Sequence, residues 1–258
     1  MAQVHSTAIV DRAAELADDV RIGPYSVIGA EVHIDAGTSI GPHCVIEGRT
    51  RIGRANRIFQ FCSLGAIPQD KKYAGEPTEL QIGDRNTIRE FCTFNCGTVQ
   101  DAGVTRIGSD NWVMAYVHLA HDCQVGNNTI FANNSQLAGH VRVDDYAILG
   151  GFTAVHQFCR IGAHSITAIG TVVLQDIPPF VTASGNSAAP YGINSEGLKR
   201  RGFSAAAIAS IKRAYKTLYK AGLGLEDAKL QIAAQRDHCQ ELQPLLDFLA
   251  LSTRGIIR

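Results

Sequence analysis

The sequence predicts an all-β parallel β-helix built from hexapeptide repeats, followed by a C-terminal α-helical domain. Three observations carry this expectation. Apolar residues recur every six positions from Val4 to about Pro178, the fifth place of most hexads is small, and the rhythm stops after Pro178-Pro179. The first places run Val4, Val10, Leu16, Ile22, Ile28, Ile34, Ile40, Ile46, Ile52, Ile58 and Leu64, resume at Ile82, Ile88 and Phe94, and continue from Ile107 to Val173. Of these 26 first places only Thr167 is not apolar. A period of six matches neither the 3.6 of a helix nor the 2 of an alternating strand; it fits a coil with three short flat sides. Eighteen residues then make one coil, and the array is on the order of 40 Å tall at the usual strand spacing. Each coil completes its core only by stacking on its neighbours.

The spacing fails in two places, 70–81 and 100–106, which are expected to project as loops from a coil domain spanning 1–184. Long loops on a rigid scaffold commonly carry function. Residues 185–258 are expected to form the helical domain, entered by a linker containing Gly185, Pro190 and Gly192. Ser204 is placed to cap a helix whose Ile208, Ile211, Ala214, Tyr215, Leu218 and Tyr219 share one face. Gly222 and Gly224 end it, and helical stretches follow near 225–236 and 244–251. These helices are expected to cover the open end of the coil, whose strand edge otherwise invites association.

Lys+Arg and Asp+Glu balance at 24 each, so no global field points to nucleic acid. Residues 190–258 nevertheless carry eleven basic against six acidic residues, an excess of five, which suits an acidic partner or a phosphate. The seven cysteines show no metal-type spacing. Cys44, Cys62, Cys92, Cys123 and Cys159 fall on fifth places, as small interior fillers. That usage implies a reducing compartment. With no signal pattern in the first twenty residues and no apolar run of membrane length, the expectation is a cytoplasmic protein with no membrane span.

Histidines on outer places are the chemically informative outliers. Ala115-Tyr116-Val117-His118-Leu119-Ala120-His121-Asp122 is followed by Gly139-His140 and His156-Gln157. At eighteen residues per coil, His121 stacks beneath Gly139 and then Gln157, and Asp122 beneath His140. The spacing is thus expected to gather His118, His121, His140 and Gln157 on one corner. There Gly139 would leave room for a substrate and free its N–H to face an oxyanion. One surface histidine is ordinary; four polar groups aligned beside a glycine are not. An imidazole suits a general base near neutral pH, with Asp122 to orient it. A metal site is disfavoured, because His118-x-x-His121 does not match the His-x4-His of β-helical carbonic anhydrases. Covalent thiol chemistry is disfavoured too, since Cys123 points inward by phase and Cys96 is the only cysteine of the repeats expected to point outward.

The segments Gln69-Asp70-Lys71-Lys72-Tyr73-Ala74-Gly75-Glu76-Pro77-Thr78, His118-Leu119-Ala120-His121-Asp122-Cys123, Leu137 to Asp145, Ala154 to His164 and Glu196 to Phe203 closely resemble the UDP-N-acetylglucosamine acyltransferases that begin lipid A synthesis. The resemblance covers nearly the whole chain. It implies a left-handed coil and a homotrimer with sites between subunits. It further implies transfer of a 3-hydroxyacyl group from acyl carrier protein to the sugar 3-hydroxyl, with no metal or organic cofactor. By this resemblance His121 is the general base, Asp122 supports it, and the Gly139 N–H stabilises the oxyanion. Gln69, Asp70, Lys72, His118, His140 and Gln157 match substrate-contacting positions. Asn194, Glu196, Arg200 and Arg201 match nucleotide-binding positions, where paired arginines suit a diphosphate. Ile169 and Ser187 match the acyl-chain channel.

Five positions depart from the pattern. Asn95-Cys96 stands where a His-Arg pair is common, and Lys71 adds a charge where an apolar residue is usual. Ile169 replaces a glycine of some members and should shorten the channel; Ser187 replaces a histidine and should lengthen it. Two other readings stay open on residues alone: a related sugar-nucleotide N-acyltransferase, and a carrier-protein-binding paralogue without turnover.

Overall fold

The computed structural model describes residues 1–236 and 239–258. All 26 first places lie in short parallel strands, and these strands stack into three faces of a left-handed coil. The first face begins at Gln3–Val4, the second at Ile9–Val10 and the third at Glu15–Leu16. Register is eighteen residues from coil to coil, as in Val4 with Ile22, and stretches to span the loops, as in Ile58 with Ile88. First-place residues from Ile22 to Val173 form the core. Val4 and Ile9, 43% and 67% exposed, mark the open N-terminal end.

Each edge of the prism turns at the fourth place of a hexad, where Tyr25, His43, Phe61, Asp122 and His140 hold φ between 55° and 63°. Left-handed backbone costs a non-glycine residue roughly 1–2 kcal/mol. Ring stacking between coils offsets part of that cost. Along the first edge, between the first and second faces, Tyr25, His43, Phe61, Phe91 and Tyr116 stack with centroids 4.8–5.1 Å apart.

Fifth places point inward, as the small residues predicted. Three asparagines among them bond one another up the stack. Asn56 Nδ2 donates to the carbonyls of Gly53 and Gly83, and Asn56 Oδ1 accepts from Asn86 N at 2.9 Å. Asn86 Oδ1 accepts in turn from Asn111 N. Thr167, the one polar first place, shares a 2.7 Å hydroxyl bond with Thr153 and accepts from Gly150 N.

Four expectations are corrected. The loops lie three to four residues earlier than 70–81 and 100–106: Glu79–Ile82 and Val104–Ile107 are strands that extend the third face beside Arg49–Ile52. Leu80 and Thr105 turn inward there on fifth places, level with Thr50, at the ends of segments whose other residues break the count. The loops are therefore 67–78 and 96–103. Cys96 does not point outward; it is buried, and its Sγ donates to Gly65 O at 3.2 Å, because the strand register shifts between Leu64 and Ala66. The stretch holding Gly185, Pro190 and Gly192 is a hairpin, not a linker, with Val181–Ser184 antiparallel to Ala189–Ile193 on the first face. A short helix also went unanticipated: α1 (Ser195–Arg200), capped by Asn194 Oδ1, which accepts from Gly197 N.

The remaining helices are α2 (Ala205–Lys220), α3 (Leu225–Arg236) and α4 (Gln243–Leu251). Ser204 Oγ caps α2 by accepting from Ala207 N at 3.1 Å. Their apolar faces form a second cluster around Ile211, Ile232 and Phe248. Tyr215, Tyr219 and Ile257 pack against the coil core, so the helices close its C-terminal end.

Candidate active site

The second edge, between the second and third faces, carries the polar column. His118-Leu119 and Gln124-Val125 are successive strands, so His121 and Asp122 occupy the turn between them. His121 Nδ1 lies 2.9 Å from Asp122 Oδ2. By phase Asp122 should point outward, yet its side chain is only 1% exposed. The 96–103 loop folds over it: Thr98 donates to Asp122 twice, N–H to Oδ1 at 2.9 Å and Oγ1 to Oδ2 at 2.6 Å. Burial raises the Asp122 carboxyl, but the bonds from His121 and Thr98 outweigh it and hold the group below the ordinary carboxylate range. It is therefore an anion at neutral pH and accepts the Nδ1 proton of His121. That fixes the tautomer with a bare Nε2, the form a general base requires. Among the described residues no hydrogen bond uses His121 Nε2 or the Gly139 N–H.

Gly139 stands directly above the imidazole. A Cβ there would sit 2.6 Å from His121 Cε1 and 2.7 Å from Nε2. The space expected for a substrate is thus occupied by the His121 ring itself, a correction with a physical reason. Glycine is needed so that the ring lies against the backbone whose N–H it must work beside. His140 stacks on Phe158 with centroids 4.4 Å apart and meets His121 edge-on at 5.0 Å. Its Nδ1 bonds Asp101 Oδ2 at 3.0 Å, again from the 96–103 loop. Gln157 is exposed one coil above Gly139. His118 is not on the edge but on the second face, its Nδ1 2.7 Å from Thr93 Oγ1. Burial pushes His118 below the ordinary imidazole value against an opposing contribution from Thr93, with His121 lowering it further, so it stays neutral near pH 7.

The other expected site residues fall elsewhere. Gln69, Asp70 and Lys72 lie in the 67–78 loop, on the same edge but lower, with Asp70 Oδ1 accepting from Lys72 N at 2.9 Å. Asn194, Glu196, Arg200 and Arg201 belong to α1 and its caps. Asn194 also donates from Nδ2 to His164 O, Glu196 pairs with Lys199 at 2.7 Å, and Arg201 stacks 4.1 Å over Tyr146 at the third edge. Ile169, 75% exposed, and Ser187 lie at and above the first edge. One chain therefore spreads the expected residues over all three edges. Sequence reasoning missed Thr98, Asp101 and Thr93. The break in the repeat near 100 signalled the first two, while nothing in the spacing marked Thr93.

His121, Asp122 and His140 each present a ligand atom within 4.8 Å of one another. These atoms already bond each other, Thr98 and Asp101, so a cation there would have to displace protons that orient the imidazoles.

Asparagine at position 122 would keep the shape but lose the charge and offer its amide to Nδ1. Asp122→Asn should cut kcat by about 10²-fold or more through the wrong tautomer, measured in steady-state assays. A carboxyl held below its unfolded value stabilises the fold above about pH 4 and loses that contribution as pH falls through the depressed value. The variant's stability deficit should therefore be constant from pH 5 to 8 and shrink only in acid.

The three-faced coil of six-residue repeats places the chain in the bacterial transferase hexapeptide class. The family model for bacterial transferase hexapeptide repeats matches residues 13–48 and 105–139. A second model, described as UDP N-acetylglucosamine O-acyltransferase domain 2, matches 176–257. Proteins named acyl-[acyl-carrier-protein]–UDP-N-acetylglucosamine O-acyltransferase from Thiobacillus denitrificans and Herminiimonas arsenicoxydans are 65% and 63% identical, each alignment covering all of both chains. LpxA from Acinetobacter baumannii superposes with a TM-score of 0.97 at 48% identity over 99% of each chain. The Francisella novicida UDP-N-acetylglucosamine acyltransferase gives 0.98 at 42% identity, over 99% of this chain and 94% of that one. The chain belongs to the acyl-[acyl-carrier-protein]–UDP-N-acetylglucosamine O-acyltransferase family.

Proposed function

We propose that the protein carries out the reaction that names its family, transferring a 3-hydroxyacyl chain from acyl carrier protein to the 3-hydroxyl of UDP-N-acetylglucosamine, the first step of lipid A biosynthesis. One observation carries the mechanism: the Asp122-bound His121 packs against Gly139, and among the described residues neither its Nε2 nor the Gly139 N–H has a hydrogen-bond partner. His121 Nε2 takes the proton of the sugar hydroxyl as its oxygen attacks the thioester carbonyl. The Gly139 N–H donates to the oxyanion of the tetrahedral intermediate. Collapse expels the carrier's thiolate, which the imidazolium protonates. A covalent route is unsupported, since Cys123, the thiol next to the pair, is pushed up to about 12 by burial. We infer no metal or organic cofactor, because the steps above balance with His121, Gly139 and the two substrates alone; dialysis against a chelator should leave turnover unchanged.

A single ligand meeting His121, Arg201 and Ile169 must lie between chains, since these stand on three different edges. A homotrimer with the first edge innermost satisfies this. It sets the second edge of one subunit against the third edge of the next. It also buries the aromatic column and the outward-facing Trp112, 43% exposed on the single chain. We assign the Asp70–Lys72 loop to the sugar nucleotide and Arg200 and Arg201 to the diphosphate. Ile169 and Ser187 are assigned to the acyl channel. Among the described residues no helix is long and apolar enough to cross a membrane, and seven buried free thiols support a cytoplasmic location.

Acyl carrier protein is acidic, and Lys212, Lys216 and Lys220 form an exposed row on α2 at four-residue spacing. Reversing all three to glutamate should raise KM for the acyl carrier substrate about tenfold or more and leave KM for the sugar nucleotide unchanged. The test of the whole reading is product analysis with both substrates: an ester on the sugar 3-oxygen supports it. An amide product on an amino sugar, or tight carrier binding without product at any acyl length, would favour the alternatives.

A further inference from the structure

Asn95 ends its strand and Cys96 follows it directly above Gly65-Ala66, where the 67–78 loop leaves the coil. Three consecutive carbonyls at that exit each accept from the pair. Gly65 O takes Cys96 Sγ at 3.2 Å, Ala66 O takes Cys96 N at 3.0 Å, and Ile67 O takes Asn95 Nδ2 at 3.0 Å. Both residues are 4% exposed. Asn95 Oδ1 is buried and accepts nothing among the described residues, which is a cost. An apolar side chain would avoid that cost, so the amide is accounted for by the donor it supplies to Ile67.

We propose that Asn95, assisted by Cys96, is a positioning residue that fixes where the 67–78 loop leaves the coil and so presents Asp70 and Lys72 to the sugar nucleotide. Two residues beyond the clamped carbonyl lies Gln69, then Asp70, whose turn is closed by Tyr73 N donating to Asp70 O at 3.1 Å. Between the clamp and that turn stand only Pro68, whose ring locks φ, and Gln69. Displacement of Ile67 is therefore transmitted to Asp70 with little slack. The catalytic pair is held by Thr98 and Thr105 and by nothing on the 67–78 loop among the described residues. The clamp should thus act on sugar-nucleotide binding rather than on the proton transfer.

This inference rests on the assignment of the loop to the sugar nucleotide, and the test separates the two. Asn95→Asp keeps the shape but faces Ile67 O with an acceptor. In the assembled enzyme it should raise KM for UDP-N-acetylglucosamine about tenfold, the equivalent of one lost hydrogen bond. The kcat, the pH profile and KM for the acyl carrier substrate should stay the same. Trypsin cleavage after the exposed Lys71 or Lys72 should accelerate, a readout that needs no substrate. Unchanged KM with unchanged cleavage overturns the clamp. Faster cleavage with unchanged KM keeps the clamp but overturns its role in substrate positioning, and with it the loop assignment. Equal losses in kcat and in both KM values, with a lowered Tm, overturn the proposal in favour of general damage. Asn95→Ala, which removes the donor and the orphaned acceptor together, gives the same readings where Asn95→Asp does not assemble.

Discussion

Replacing Gly139 with alanine should lower kcat by about 10²-fold or more while the coil stays folded. The new Cβ would stand 2.6–2.7 Å from the His121 ring, far inside contact distance. The φ of Gly139 is not in the left-handed region, so alanine is tolerated by the backbone and the clash alone decides the outcome. The ring cannot swing away without losing its 2.9 Å bond to Asp122, and displacing a catalytic group by about 1 Å costs on the order of 10²-fold. The Gly139 N–H remains in this variant, so the deficit reports the displaced base and not the oxyanion donor. Steady-state kinetics with both substrates, beside circular dichroism and sedimentation, make the measurement. Near-normal kcat in a folded Gly139→Ala enzyme would show that the imidazole has room the structure denies it.

His121→Ala should be more damaging, about 10³-fold or more in kcat, within the range that general-base catalysis supplies. Its stability should change little, because Asp122 keeps both donors from Thr98 and is not left unpaired. Sugar-nucleotide affinity, read by calorimetry, should fall no more than severalfold. The two substitutions act on one ring, so the double variant should be no slower than His121→Ala alone. Additive losses would mean that Gly139 and His121 serve the reaction independently. Substantial turnover in His121→Ala would remove the base assignment altogether.

The spacing of apolar residues gave the coil, its eighteen-residue register, and hence the juxtaposition of position 121 with 139 and of 122 with 140. It did so because a six-residue period leaves one way to bury every first place. The cap at Ser204 and the apolar face from Ile208 to Tyr219 were equally readable, since both are local. What the period could not convey lay where it broke. Leu80 and Thr105 belong to strands at the ends of segments whose other residues break the count. Cys96 turns in at a register shift, and the 185–193 hairpin depends on pairing with a strand already in place.

The same division runs through the site. The order of residues alone determined that an imidazole, a carboxylate and a glycine would share one edge of a β-helix. Only the packed structure decided that Asp122 is buried rather than outward. It also decided that Thr98 and Asp101 reach back from a loop to hold Asp122 and His140, and that the glycine's space belongs to the His121 ring. The reason is one of range: periodicity encodes contacts between equivalent places on successive coils, whereas a loop that folds over its own scaffold makes contacts that no repeat specifies.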